Sequence, residues 1–259
     1  MKKLAFAAAA LAFTGSAYAA DMPLKAAAPM LAPFGWTGWY IGGNIGYGWG
    51  TANNDVIPLP NATQFVNLLP QQLKASPKGV LGGGQIGYNA QLGNLVLGVE
   101  ADIQGSDIKG GVIESPIIQN NGTPFPGAGN NITINSNIDW FGTVRGRFGT
   151  TILDPRVLLF ATGGLAFGQV STNANTNFLP VGTIQYPASF SNTQVGWAVG
   201  AGIEWAFAQN WSAKVEYLHV DLGTVGVTAN PVPANPPFQV SYNTHSYVDL
   251  ARIGINYKF

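Results

Sequence analysis

The sequence contains no cysteine, which excludes a disulfide framework and any thiolate metal site. Charge is scarce as well: 9% of residues are charged, against roughly 25% in an ordinary soluble domain. Twelve Lys and Arg balance twelve Asp and Glu, for a formal net charge of zero. Without a basic field, nucleic acid is not an expected partner. Beyond the first residues there is no uninterrupted apolar run of about 18, which excludes a helical membrane span. A membrane protein built of strands is not excluded.

What is abundant is glycine, at 34 residues, and aromatic side chains, at 12%. The first residues read as an address. Lys2 and Lys3 precede the apolar stretch LAFAAAALAF, and Ala17 to Ala19 offer the small residues of a cleavage site. We therefore expect a signal peptide at 1–19, a mature start at Ala20, a Pro- and Ala-rich periplasmic tether at 20–35, and one β domain at 36–259.

That domain is written in period two. In WTGWYIGGNIGYGWG, Trp39, Ile41, Ile45, Tyr47 and Trp49 share one face, while Tyr40, Asn44 and several glycines share the other. Seven further stretches alternate in the same way, from KGVLGGGQIGYNAQ to the terminal DLARIGINYKF. Three connections, near 93, 154 and 209, are tight turns; four others, about 52–76, 108–134, 172–191 and 224–241, are long and rich in Asn, Pro, Thr and Gly. The pattern predicts an all-β fold, an eight-stranded antiparallel up-and-down transmembrane barrel with short periplasmic turns and long extracellular loops.

The two faces sort by charge. Glu100, Asp102, Arg145, Arg147, Glu204, Lys214, Glu216, Arg252 and Lys258 fall on one face, and Leu97, Val99, Val144, Phe148, Trp197, Val199, Ile203 and Val215 on the other. An unpaired charge facing lipid costs about 2–4 kcal/mol at the bilayer midplane, so the charged set is expected in the lumen, as a cross-linked plug of ion pairs. Phe259, Tyr257, Ile255 and Ile253 would then face the bilayer. Asp249 breaks the rule, because strict alternation from Phe259 aims it at lipid; it should lie above the apolar band or behind a phase-resetting bulge. Inner-face glycines leave room in a narrow barrel for the long charged side chains.

Some motifs tempt without carrying chemistry. GGGQIG, Gly82 to Gly87, fits a dinucleotide fingerprint but is followed by another alternating segment and not by a phosphate-binding helix. His219, Asp221 and His245 offer the residue types of a metal or acid–base site, yet the two histidines come from separate strands; polar residues of the outer interface band explain them better. Trp36, Trp39, Tyr47, Trp49, Trp205, Trp211, Tyr247 and Tyr257 read as aromatic girdles. Phe65, Leu68, Leu69, Phe125, Phe178 and Phe238 are apolar points in the loops, which either hold the loops together or meet a ligand.

The strand sequences WTGWYIGGNIGYGWG, GVLGGGQIGYN, VLGVEADIQGSDI, WFGTVRGRFG, FATGGLAFG, GWAVGAGIEWAF, WSAKVEYLHVDLG and RIGINYKF, with ADMP after the cleavage site, resemble the outer-membrane surface-antigen family of alphaproteobacteria, which has immunogenic and haemin-binding members. The resemblance implies a barrel similar to the membrane domain of OmpA, placed in the outer-membrane lipid by the barrel-assembly machinery, which would read the C-terminal Phe259, Tyr257 and Ile255. The neutralised lumen and the long polar loops favour a surface protein that supports the envelope and presents loops, with no enzymatic activity, catalytic residue, metal or cofactor expected. A passive small-solute porin and a receptor for haemin or another loop ligand are the competing functions.

Overall fold

In a computed structural model, residues 34–59, 72–119, 121–125, 129–178, 184–232 and 239–259 are described. The expected signal peptide and nearly all of the tether lie outside the described residues, as do Phe65, Leu68, Leu69 and Phe238.

The described chain is all strand and turn, without a helix. Its strands are β1 (Gly38–Pro58), β2 (Gln72–Ala75), β3 (Lys78–Leu92), β4 (Leu95–Glu114), β5 (Asn131–Thr151), β6 (Val157–Phe178), β7 (Ile184–Trp205), β8 (Trp211–Ala229) and β9 (Val240–Lys258). Every pairing between these strands is antiparallel, and β1 closes on β9, so the ring has eight members. β2 is not a ninth stave: Ala52 pairs Ala75 and Trp49 pairs Lys78 in one continuous register, so β2 prolongs β3 past Ser76 and Pro77. Proline cannot donate to a ladder, and it interrupts the strand there. The GGGQIG motif lies in the middle of β3.

On the outer face of β1, Trp39, Ile41, Ile45, Tyr47 and Trp49 are all exposed. Ten residue steps of about 3.3 Å, tilted by about 40°, make a band of roughly 25 Å, the height of an outer-membrane barrel's apolar belt. Above it the outer faces turn polar, with Lys78, Asp107, Lys109, Asp139, Ser171, Ser191 and Asn53.

The strands do not stop at this upper edge. β1 has 21 residues and β6 has 22, about twice what a tilted span needs. Much of the four stretches expected as loops is therefore strand, and the connections shrink to 59–71, 115–130, 179–183 and 230–239. The reason is an inversion of amphipathicity. In β5 the even positions Ile132, Ile134, Ile138, Val144 and Phe148 are apolar throughout; a bulge at Asp139 switches them from lipid-facing below to core-facing above.

Above the band the ring divides into two sheets. β3 pairs β4 only up to Lys78 and Lys109, and β7 pairs β8 only up to Trp197 and Asp221. The ladders β4-β5-β6-β7 and β8-β9-β1-β2 continue upward, giving two four-stranded sheets face to face. Ile132, Ile134, Ala174, Phe178 and Tyr186 from the first sheet pack on Val56, Leu73, Ala229, Val240 and Tyr242 from the second. This extracellular head has a sandwich core of its own. A short hairpin in the β4–β5 connection, with Phe125 N–H donating to Ile117 carbonyl at 2.8 Å, delivers a fully buried Ile117 to that core. Phe125 and Phe178 stack edge-on at 5.3 Å, so these two apolar points hold the head together.

Candidate functional site

Eight of the nine charges singled out from the sequence meet in the lumen. Glu100 and Asp102 come from β4, Arg145 and Arg147 from β5, Glu204 from β7, Lys214 and Glu216 from β8, and Arg252 from β9, and each is at most 6% exposed. Arg145 is central. Its Nη2 donates to Glu100 Oε1 at 2.6 Å and Asp102 Oδ2 at 3.0 Å, and its Nη1 to Glu216 Oε1 at 2.5 Å. Arg252 closes the other side of the same acids, with Nη2 3.1 Å from Asp102 and Nε 2.8 Å from Glu216. Lys214 Nζ lies 2.9 Å from both oxygens of Glu100.

A second centre lies nearer the periplasm. Arg147 pairs with Glu204 and rests over the Phe160 ring at 3.9 Å. Glu204 also accepts from Asn256 Nδ2 at 2.7 Å and from the Ser212 hydroxyl. Tyr40 joins the centres, its hydroxyl donating to Glu100 Oε2 at 2.8 Å. Neutral residues add to the network: Thr143 donates to Asp102 at 2.7 Å, and Arg145 donates to the Thr143 and Thr162 hydroxyls at 2.9 and 2.8 Å, while Arg147 Nε and Arg252 Nη1 stay without a hydrogen-bond partner among the described residues. Four acids and four bases sum to zero.

Glycine makes the room. A Cβ on Gly46 would lie 2.8 Å from Arg252 Cβ, and one on Gly87 would meet the Tyr40 ring. Below the charges, Trp36, Val96, Leu158, Phe160 and Ala206 form an apolar layer. Trp36 corrects its expected place in a girdle: it is 3% exposed, donates from Nε1 to Pro155 carbonyl at 3.0 Å, and fills the periplasmic mouth. Lys258 does not join the network either. It lies at the rim beside Phe34, 4.7 Å from the ring, with its ammonium on Gly35 carbonyl, because its position at the end of β9 is below the layer that seals the cluster.

Above the charges, Leu81, Ile108, Phe141, Leu218, Val248 and Leu250 belong to a second apolar layer. A cavity among Ile108, Phe141, Val220 and Leu250 and another beside Trp36, Tyr40 and Glu204 each hold about 10 Å³, about the room for one water. The polar set is thus enclosed between apolar layers.

On the outside, His219 and His245 make two separate pairs. His219 Nδ1 is 2.8 Å from Asp249, which also accepts from the Tyr217 hydroxyl at 2.6 Å. His245 Nε2 is 3.4 Å from Asp221. Asp249 stays in strict alternation, opposite Trp49 and His219 in ladders that run unbroken from Tyr257 up to it; no bulge resets its phase, and it sits at the upper edge of the apolar band among partners. No group of three or more metal-ligating side chains is present among the described residues. Higher, in the head, burial raises the Tyr242 phenol above its ordinary range, and its hydroxyl contacts Thr176 Oγ1 at 2.7 Å and Tyr186 carbonyl at 3.1 Å.

The model of the outer membrane protein beta-barrel domain matches residues 5–259. The chain belongs to that family. It is 36% identical, over all of both chains, to the 31 kDa outer-membrane immunogenic protein of Brucella melitensis. It is 29% identical to the 22 kDa outer membrane protein of Rhizobium leguminosarum, over 75% of this chain and 68% of that one. Among solved structures it resembles Ail of Yersinia pestis, at 13% identity and a TM-score of 0.38, over 84% of this chain and 99% of that one. The protein is an outer-membrane β-barrel.

Proposed function

We propose that the protein is a closed, non-enzymatic barrel that braces the outer membrane and holds a two-sheet head outside it, the head being the part that meets other molecules. The enclosure of a charge-neutral cluster between apolar layers carries this reading. Ion permeation needs a wet, continuous path and a net field to select with. A cluster in which each acid has a cation within hydrogen-bond reach offers neither, and moving one member strands its partners at a cost of roughly 3–5 kcal/mol.

Several features support the rest. The relatives include immunogenic outer-membrane proteins, which fits surface display. His219 and His245 are each engaged by an aspartate at the edge of the lipid band, an arrangement suited to anchoring the barrel vertically and unlike a haemin iron site. Phe259, Tyr257 and Ile255 form the outward stripe of the last strand, with Tyr257 stacked on Trp211 at 5.0 Å; this stripe is the feature the assembly machinery would read.

The test is genetic. Cells lacking the protein should become sensitive to detergents and bile salts. A barrel with its strands shortened to the apolar band should restore resistance while removing surface antibody binding. Failure of the shortened barrel to restore resistance, when it reaches the membrane in normal amount, would contradict the bracing role.

A further inference from the structure

The head has a slit between β7 and β8. Below it the two strands pair up to Trp197 and Asp221; above it Gln185 and Val232 exchange backbone hydrogen bonds at 3.0 and 2.8 Å. Between these ties run Tyr186–Gly196 of β7 and Leu222–Ala229 of β8, followed by Asn230 and Pro231, with no ladder between the two strands among the described residues. β8 leaves its neighbour at a bulge that includes Gly223, where φ is +75°. β7 remains laddered to β6 along the whole stretch and β8 to β9 from Thr224 to Ala229, so among the described residues each presents one free strand edge to the slit.

The direction of the free groups follows from the upper tie. Gln185 points its N–H and C=O at β8, so by alternation the odd residues Ser189, Ser191 and Thr193 do the same. Pro187 occupies an odd position, where its missing N–H costs the β6 ladder nothing. Exposed edges are ordinarily guarded by charges, prolines or bulges. Pro187 and the bulge at Gly223 are devices of that kind, but neither rim carries a charge: IQYPASFSNTQVG and LGTVGVTANPV contain no Asp, Glu, Lys or Arg. A second observation concerns the interior. Phe190, Val225 and Val227 take core-facing positions, yet unlike Ile134, Ala174 or Tyr242 at comparable heights they are only half-buried.

We propose that the slit is a strand-acceptor site, which takes an extended, uncharged polypeptide segment from outside the cell by β-augmentation. The guest lies antiparallel to β7, bonded to Ser189, Ser191 and Thr193. Its alternate side chains are apolar, to cover Phe190, Val225 and Val227, and small and polar, to face out beside Ser189 and Ser191. Main-chain bonds supply affinity and the alternation supplies selectivity. The β7 edge of a second copy in the same membrane does not fit, because it runs the same way. The proposal rests on the reading of the head as the working part, and names the chemistry of what it meets.

The probe is a capped heptapeptide of alternating threonine and valine, added to the folded full-length protein in lipid vesicles while amide hydrogen exchange is followed. The N–H groups of Ser189, Ser191 and Thr193 should exchange freely alone and slow by at least about tenfold with saturating peptide. The same peptide N-methylated at alternate residues should give no protection, and neither should the Ser191→Pro protein, whose β6 ladder is untouched. Protection of the three groups without peptide would mean that β8 already closes the slit, and unchanged exchange with peptide would mean that the edge accepts nothing; either result overturns the proposal. Neither bears on conductance, so a leaky barrel and an inert slit are separate failures.

Discussion

Replacing Arg145 by methionine keeps much of the volume and removes the charge at the centre of the lumen. Arg145 is 1% exposed and neutralises Glu100, Asp102 and Glu216 at 2.6, 3.0 and 2.5 Å. In its absence Glu100 keeps Lys214, and Asp102 and Glu216 keep Arg252, but four acids then face three bases in a dry interior. The loss should be roughly 3–5 kcal/mol, the usual cost of breaking a buried pair. Restoring neutrality in Arg145→Met/Glu216→Gln should recover about 1–3 kcal/mol of it, the scale of coupling between contacting sites. Lys258→Met, which removes a rim charge outside the cluster, should cost only about 1 kcal/mol. Urea unfolding in lipid vesicles, read by tryptophan fluorescence, gives all three values. A loss below about 1 kcal/mol in Arg145→Met, or one no larger than in Lys258→Met, would refute the argument that the paired charges hold the barrel shut.

Gly46→Val should fail to refold, since even its Cβ would meet Arg252 Cβ at 2.8 Å and Ala251 carbonyl at 2.5 Å; recovery of the heat-modifiable folded band would contradict the packing role. Phe259→Ala should leave the stability of refolded protein within about 1 kcal/mol yet lower the amount found in the outer membrane of cells, as immunoblots of membrane fractions would show; equal amounts would remove the C-terminal stripe as an assembly signal. Tyr242, well covered in the head, contributes stability that is whole below the ordinary tyrosine pKa of about 10 and is lost as pH rises above it, because the raised folded-state pKa favours the neutral phenol. Tyr242→Phe should therefore flatten the alkaline loss of head stability measured by hydrogen exchange, and an unchanged alkaline profile would exclude Tyr242 as its source.

Alternation carried the barrel because lipid imposes the simplest rule on a strand, apolar outward at every second residue. The same rule hid the head. Ile132, Ile134 and Ile138 alternate as cleanly as Val144 and Phe148, but a single bulge at Asp139 sends them inward, and inward isoleucines between asparagines read as a polar loop. NITINSNI was the available signal: a strand pattern in its own right once the possibility of a water-facing outer surface is admitted. Charge sign and phase placed eight of the nine lumen residues, while Lys258 departed because phase says which way a side chain points and not at what height. Trp36 lay outside the reach of alternation altogether, since its segment is a plug and not a strand. The slit was invisible for a different reason, for a strand's sequence records its two faces and says little about its two edges.

Single-channel recording on the refolded protein in a planar bilayer, beside Arg145→Ala and Glu204→Ala, tests the closed barrel most directly. The account expects a silent membrane with the unmodified protein and irregular current steps with the two variants, whose loosened plugs admit water. Steady, voltage-tolerant steps from the unmodified protein would contradict it and make the charge cluster the wall of a pore.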